Sequence, residues 1–571
     1  MKMLNNTHVF ATFLAILAFL LVCSNAAAQN GDVEQLRREF EEWKQETNRQ
    51  LGELRRENQE LRDSLDRVSG ESDAGISPAL EEKLRHWFEE RRAKTGLLDI
   101  KGAEGGFITN VRFFGGIRER IEFVDNFTDF DTSHGDKTDF VDSRIRFGVA
   151  LEFQDWVDAL FEVQNNSYFG DTSTEFGPNA RNDNEDDIEI YQAYITFRKF
   201  FGTDAEVRVG RQEIVKGTQF LIGNEDFYSG LSFDAVRVMY EITSLKLEID
   251  AWWARLSDNF ADGAGDNRYD DDKRDFFGLY FTWKGIHDKL KMIDALEAYL
   301  LFVRDQTNNL NDATTLMTTL SPDAAGQVYV NDFVNEDRWT AGIRAHGRVL
   351  DDEERLLKYN FEFAFQFGDA GTAGPFNAVT GRPVPGAGSG MSGGEIKAFG
   401  MEANLRYQCR KWRFKPAVEL YYAFASGDNN PFDEDQGTFN PLFQNNHYRM
   451  GLADLFQGEN IHALGLSAMF YPFSKLEIGG ALHYFHLDRS DDFAAPGSVA
   501  PLMGRTAHVS DDLAWEFDLF INYRYSERLL LQIAYARVMM GDAVHDNIRA
   551  LRGDGADDAV NRVYLNIVFE F

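Results

Sequence analysis

Asn561–Phe571 reads Asn-Arg-Val-Tyr-Leu-Asn-Ile-Val-Phe-Glu-Phe. Val563, Leu565, Ile567, Phe569 and Phe571 alternate with Arg562, Tyr564, Asn566, Val568 and Glu570. A period of two marks a strand with one apolar and one largely polar face. A last strand ending in Phe is a common ending of bacterial outer-membrane barrels, so this stretch is expected to close one. Its expected partner is the first strand, near Phe107–Phe123, a pairing that leaves no edge in lipid.

Composition agrees with that expectation. The chain has 571 residues, too many for one ordinary soluble core, with 43% apolar and 14% aromatic residues. Its 49 Phe fall at alternate positions rather than in blocks. Beyond residue 23 no apolar run approaches the roughly 20 residues of a spanning helix. A membrane protein without such runs is left with a closed barrel. A formal net charge of -34 argues against nucleic acid as a partner, because phosphate binding needs a basic face.

The N-terminus reads as three segments. Residues 1–28 form a signal peptide, with Lys2, an apolar stretch Val9–Cys23 and Ala26-Ala27-Ala28 before the cut. Without it the chain keeps Cys409 alone, so no disulfide within one chain is expected. Residues 29–70 carry heptad spacing, and Leu51, Leu54, Asn58, Leu61 and Leu65 form a narrow seam. Such a seam suits a self-associating coiled coil, in which Asn58 would fix register. Residues 71–104 are a linker with a short helix. Ser77 caps that helix, Pro78 occupies its first position and Gly96 ends it.

Residues 105–571 keep the period of two over about eighteen candidate strands, an even number as single-chain barrels require. Short connections such as Asp155-Trp156, Ile242–Ser244 and Pro472–Ser474 alternate with long ones such as Ser167–Asp187, Asp305–Glu336 and Ala425–Glu459. Short periplasmic turns and long extracellular loops are the rule in outer-membrane barrels. The fold expected is therefore an all-β, antiparallel transmembrane barrel of about eighteen strands preceded by a helical coiled-coil segment. Its place is the bacterial outer membrane, among lipid and lipopolysaccharide, with the stalk in the periplasm.

Parity assigns the faces. In Phe361–Phe367 the four Phe point one way, and Glu362, Ala364 and Gln366 the other. The aromatic side must face lipid, where charge costs a few kcal/mol. The same rule turns Arg112, Arg144, Arg146, Arg208, Arg237, Arg344, Arg406 and Arg413 inward as channel-lining residues. It also turns in Glu162, Glu248, Asp250, Glu362, Glu402, Glu419, Glu516 and Asp518. An interior about eighteen strands wide is more than side chains fill, so the lumen is expected to hold water.

Two stretches resemble the alginate-export family of outer-membrane channels. Val207–Tyr240 carries GRQ and the returning SFDAVR, and Ala425–Ile461 carries GDNNP, FNPLF and DLF…NI. The likeness extends loosely over Gly105–Phe571. It implies an eighteen-stranded channel whose lumen arginines pass an acidic polysaccharide, with Arg208 and Arg237 inside the matched motif. Arg211 falls on the lipid parity and would need a bulge or a strand end to reach the pore.

The remaining signals are weak. His483 and His486 lie three apart on a strand, so they face opposite sides and make no metal pair. The acidic runs Asn182–Asp187 and Asp270–Asp275 could offer calcium oxygen ligands. Most such runs are only solvated and neither has EF-hand spacing, so no cofactor is expected. Cys409 has no histidine or basic enclosure to make it a nucleophile. His508 beside Ser510 and Asp511 is the one local hint of a rim enzyme, and no catalysis is expected. A porin-like channel for anionic solutes, including an acidic exopolysaccharide, is the leading reading. A structural protein tethered to the cell wall through the stalk is the alternative.

Overall fold

The computed structural model describes residues 98–101, 108–127, 130, 137–154, 156–169, 188–258, 273–305, 328–329, 336–370, 372–373, 375–377, 382–383, 391–392, 394–429, 435–447, 449–490, 492, 510–552 and 559–571. The signal peptide, the coiled-coil seam and the linker helix fall on residues 1–97, outside these. So do Asn182–Asp187, Asp270–Asp272 and His508.

Among the described residues, eighteen antiparallel strands form one closed sheet. In chain order they are β1 (Asn110–Asp125), β2 (Thr138–Phe153), β3 (Val157–Tyr168), β4 (Glu189–Phe197), β5 (Glu206–Gln212) and β6 (Phe233–Ile242). Next come β7 (Leu247–Asp258), β8 (Lys273–Trp283), β9 (Ala295–Asp305), β10 (Asp337–Asp351), β11 (Arg355–Asp369) and β12 (Glu395–Cys409). The set ends with β13 (Ala417–Ala425), β14 (Ile461–Phe473), β15 (Leu476–Leu487), β16 (Asp512–Ser526), β17 (Leu529–Met540) and β18 (Val560–Glu570).

Each strand pairs with its chain neighbour, and β18 returns to β1, with Asn561 opposite Asp125 and Glu570 opposite Gly116. Closure satisfies the backbone of both edges, which an open sheet in lipid could not do. Beyond Phe571, which exchanges two 3.0 Å backbone hydrogen bonds with Gly115, a short strand Leu98–Lys101 takes over the edge of β1. Leu98 lies opposite Phe113 and Lys101 opposite Asn110, so this segment continues the line of β18. The linker reading of 71–104 did not include it.

Connections alternate between short turns at one end, such as 243–246, 352–354 and 474–475, and long loops at the other, such as 213–232 and 426–460. The two faces follow parity. On β11, Phe361, Phe363 and Phe367 are exposed, whereas Glu362, Ala364 and Gln366 are buried. Outward rings also stack across strands, as Phe302 on Trp339 at 4.3 Å and Phe365 on Phe399 at 5.5 Å.

The interior differs from a simple water-filled pore. The third long loop, 213–232, and the seventh, 426–460, fold back and pack a core against inward residues of the wall. Phe220, Leu221, Ile222, Phe227, Phe439, Met450, Leu452 and Phe456 are buried in it. The wall makes room with small inward residues, among them Ala235, Ala254, Ala364, Ala398, Ala463, Ala514 and Ala534. Burial of the apolar loop residues, at about 25 cal/mol per Å2, favours the inward position over a solvated one.

Candidate functional site

The two loops meet side by side inside the barrel. Ile222 and Phe443 form an isolated parallel bridge, with Phe443 N–H donating to Leu221 O at 2.9 Å and Gly223 N–H to Phe443 O at 2.7 Å. Asn445 N–H donates to Gln219 O at 3.1 Å, and Phe220 stacks on Phe439 at 5.9 Å. These contacts join the two stretches that carry the family likeness.

On one side the wall grips the third long loop with arginines. Arg118 Nη1 donates to the carbonyls of Asp226 at 3.0 Å and Tyr228 at 2.9 Å, and also to that of Phe227. Arg120 donates to the Phe227 carbonyl and lies 4.0 Å over the Phe227 ring. Arg144 Nη1 reaches the carbonyls of Asp226 at 2.7 Å and Tyr228 at 3.0 Å. Arg146 Nη1 meets Asp226 Oδ1 at 2.7 Å, and its Nη2 donates to Ser229 O at 3.0 Å. Gly230 lets this approach happen: with φ +89, its absent Cβ would sit 2.4 Å from Arg146 Nη2.

The seventh long loop is tied at Asp454. Its Oδ2 accepts from Tyr228 Oη at 2.6 Å and Arg562 Nη1 at 2.9 Å, and His447 Nδ1 lies 2.6 Å away. Ala453 N–H donates to Glu516 Oε1 at 2.8 Å. Gly451 has φ +85, and a Cβ there would lie 2.3 Å from the Glu516 carboxylate.

On the opposite wall, carboxylates of the strands take donors from the loops. Lys216 Nζ meets Asp250 Oδ2 at 2.6 Å, Thr218 Oγ1 donates to Glu402 Oε1 at 2.7 Å, and Arg449 pairs with Glu402. Loop and wall are thus complementary in charge on both sides.

The arginines expected to line the channel fall into four groups. Arg144 and Arg146 are buried and hold the third loop. Arg237, Arg344 and Arg406 face inward and are paired with Asp250 at 2.6 Å, Glu297 at 2.7 Å and Glu419 at 3.2 Å. Arg208 and Arg112 are half-buried and inward, with Arg208 directly opposite Arg237. Arg413 is a correction. The strand expected from Trp412 begins at Ala417, so Arg413 stands exposed in the short turn 410–416, over the Phe414 ring. Arg211 stays on the outer face, paired with Asp234 at 2.8 Å. His483 is buried and inward beside Asp518, whereas His486 stacks on the outward-facing His462.

Sequence reading missed Arg118, Arg120, Arg338, Arg449 and Arg562. Arg118 and Arg120 share the parity of Arg112, and Arg562 lies on the polar face of the closing strand, so the signal was present. Arg338 is buried and holds Gln366 at 2.9 Å together with Gln436 of the seventh loop. Arg449 lies in a loop, where parity says nothing.

The alginate export family model matches residues 110–554. The chain belongs to that family. As the eighteen-stranded barrel of an alginate export family member, it is a porin-like channel of the bacterial outer membrane, which places the short turns in the periplasm. No curated protein matches the sequence. Similar solved structures include Pseudomonas aeruginosa OccK8 (OprE), 14% identical with a TM-score of 0.47 over 82% of this chain and 99% of that one. The outer membrane protein OpdK of Pseudomonas aeruginosa is 10% identical, with a TM-score of 0.46 over 82% and 100%. Pseudomonas aeruginosa OccK2 (OpdF) in complex with glucuronate is 11% identical, with a TM-score of 0.46 over 81% and 98%.

Proposed function

We propose that this channel passes anionic solutes, an acidic polysaccharide such as alginate among them, along its inward guanidiniums. Arg208 carries the reading. It faces Arg237 directly across β5 and β6, an arrangement of like charges that weakens a sheet. Asp250 and Lys216 accompany Arg237. Arg208 meets no carboxylate among the described residues: its Nε donates to Thr196 Oγ1 at 3.0 Å, and its guanidinium lies 4.3 Å over the Tyr194 ring. A brace needs an opposite charge. A guanidinium held by a hydroxyl and a ring keeps its fork for a carboxylate, which it grips with two parallel hydrogen bonds.

Weak sites in series give a sliding path rather than a trap. The test is the reversal potential of single channels in planar bilayers under a salt gradient. Anion selectivity is expected, and cation selectivity would remove the reading.

A further inference from the structure

We infer that Asp226–Ser229 is a built-in stand-in for the solute, occupying the carboxylate site of Arg118, Arg120, Arg144 and Arg146 until an acidic saccharide replaces it. This inference rests on the anion-channel reading. Four guanidiniums converge on one tetrapeptide, and most of their contacts go to its backbone carbonyls. Within the tetrapeptide the Asp226 side chain is a carboxylate, which meets Arg144 at 3.1 Å and Arg146 at 2.7 Å. To the charge-assisted bond that a carbonyl already accepts from a guanidinium, a carboxylate adds an opposite charge and a two-bond fork. A solute bearing one carboxylate per sugar would therefore compete well for these forks.

Charge balance decides what must happen when the loops leave. Among the described residues of this ion-pair network, the wall guanidiniums Arg118, Arg120, Arg144, Arg146 and Arg562 outnumber the wall carboxylates Glu122 and Asp142. The loops add Asp226 and Asp454 and reduce that surplus of positive charge. Withdrawal of the loops alone would bare the surplus in a largely enclosed lumen, which is costly. Withdrawal in exchange for a polyanion would not. The same cluster that would conduct the solute thus keeps the lumen narrowed in its absence. No covalent step is involved: hydrogen bonds to the loop are exchanged for hydrogen bonds to the solute.

The experiment is single-channel recording of the full-length protein with a short oligogalacturonate or a neutral maltodextrin on the long-loop side. Wild-type conductance should rise several-fold with the oligogalacturonate and not with the maltodextrin. Asp226→Ala and Gly230→Ala, the second pressing a methyl against Arg146, should each raise basal conductance without oligosaccharide. Heat-modifiable migration in gels confirms that each variant is folded. The exchange is refuted if folded Asp226→Ala conducts like wild type in an anion-selective channel, or if oligogalacturonate only blocks. A cation-selective wild type would instead remove the anion-channel reading beneath it.

Discussion

Arg562 on the closing strand and Asp454 on the seventh long loop meet at 2.9 Å, both nearly excluded from solvent. Arg562 also pairs with Glu122 of β1 at 2.8 Å, so one side chain ties the barrel seam to the loop that narrows it.

Replacing that arginine should therefore be costly. Arg562→Met leaves Asp454 with His447 and Tyr228, and Glu122 with Arg120. Breaking a buried pair from one side costs ~3–5 kcal/mol. Urea unfolding in lipid vesicles should show a loss of that order, accompanied by raised basal conductance. A loss below about 1 kcal/mol would mean that the pair is a solvated surface contact.

Acid should loosen the seventh loop through His447. Burial lowers its imidazole below the ordinary 6.5, with Arg562 and Arg120 adding to the effect while Asp454 opposes it. A depressed imidazole binds fewer protons folded than unfolded, so the loop is fully held above about pH 6.5 and loses hold as pH falls below that. Conductance of wild type should rise between about pH 6.5 and pH 5 relative to that of His447→Gln. Parallel pH profiles of the two proteins would exclude His447 as the sensor.

The outward face predicts a contrast at neighbouring positions of one strand. Phe363 is exposed to lipid and Glu362 is buried beside Tyr299, whose hydroxyl donates to it at 2.8 Å. Phe363→Arg should destabilise the vesicle-embedded barrel by ~2–4 kcal/mol, the cost of a cation at mid-bilayer, with selectivity unchanged. Glu362→Gln should be milder in stability, because it retains an acceptor for Tyr299. Equal effects would mean that the assigned faces are wrong.

Strand order and faces are readable from the sequence because the sheet has one dry side and a strict period of two. Phe361–Phe367 and Asn561–Phe571 need no tertiary knowledge. The turn at 410–416 shows the limit: Trp412 and Phe414 alternate with polar residues as a strand would, yet both are exposed in the turn and β13 starts only at Ala417, after Pro416. The inward fold of the loops lies further out of reach, since long-range packing decides it. Phe220–Ile222 and Leu452–Phe456 are apolar for loops that would otherwise stand in water, and that is the local trace of it. Parity finds Arg144 and Arg146 but cannot tell that they hold a loop carboxylate and loop carbonyls 80 or more residues away.

The reversal potential of the double charge reversal Arg208→Glu with Arg237→Glu tests the anion path most directly. Among the described residues Arg208 braces no carboxylate, and Lys216 still meets Asp250 when Arg237 is lost, so the barrel should remain heat-modifiable. Under a salt gradient the reversal potential should move from the anion side toward the cation side, and release of oligogalacturonate from vesicles should slow. An unchanged reversal potential with a lower unfolding midpoint would show the two arginines to be structural and contradict the anion path.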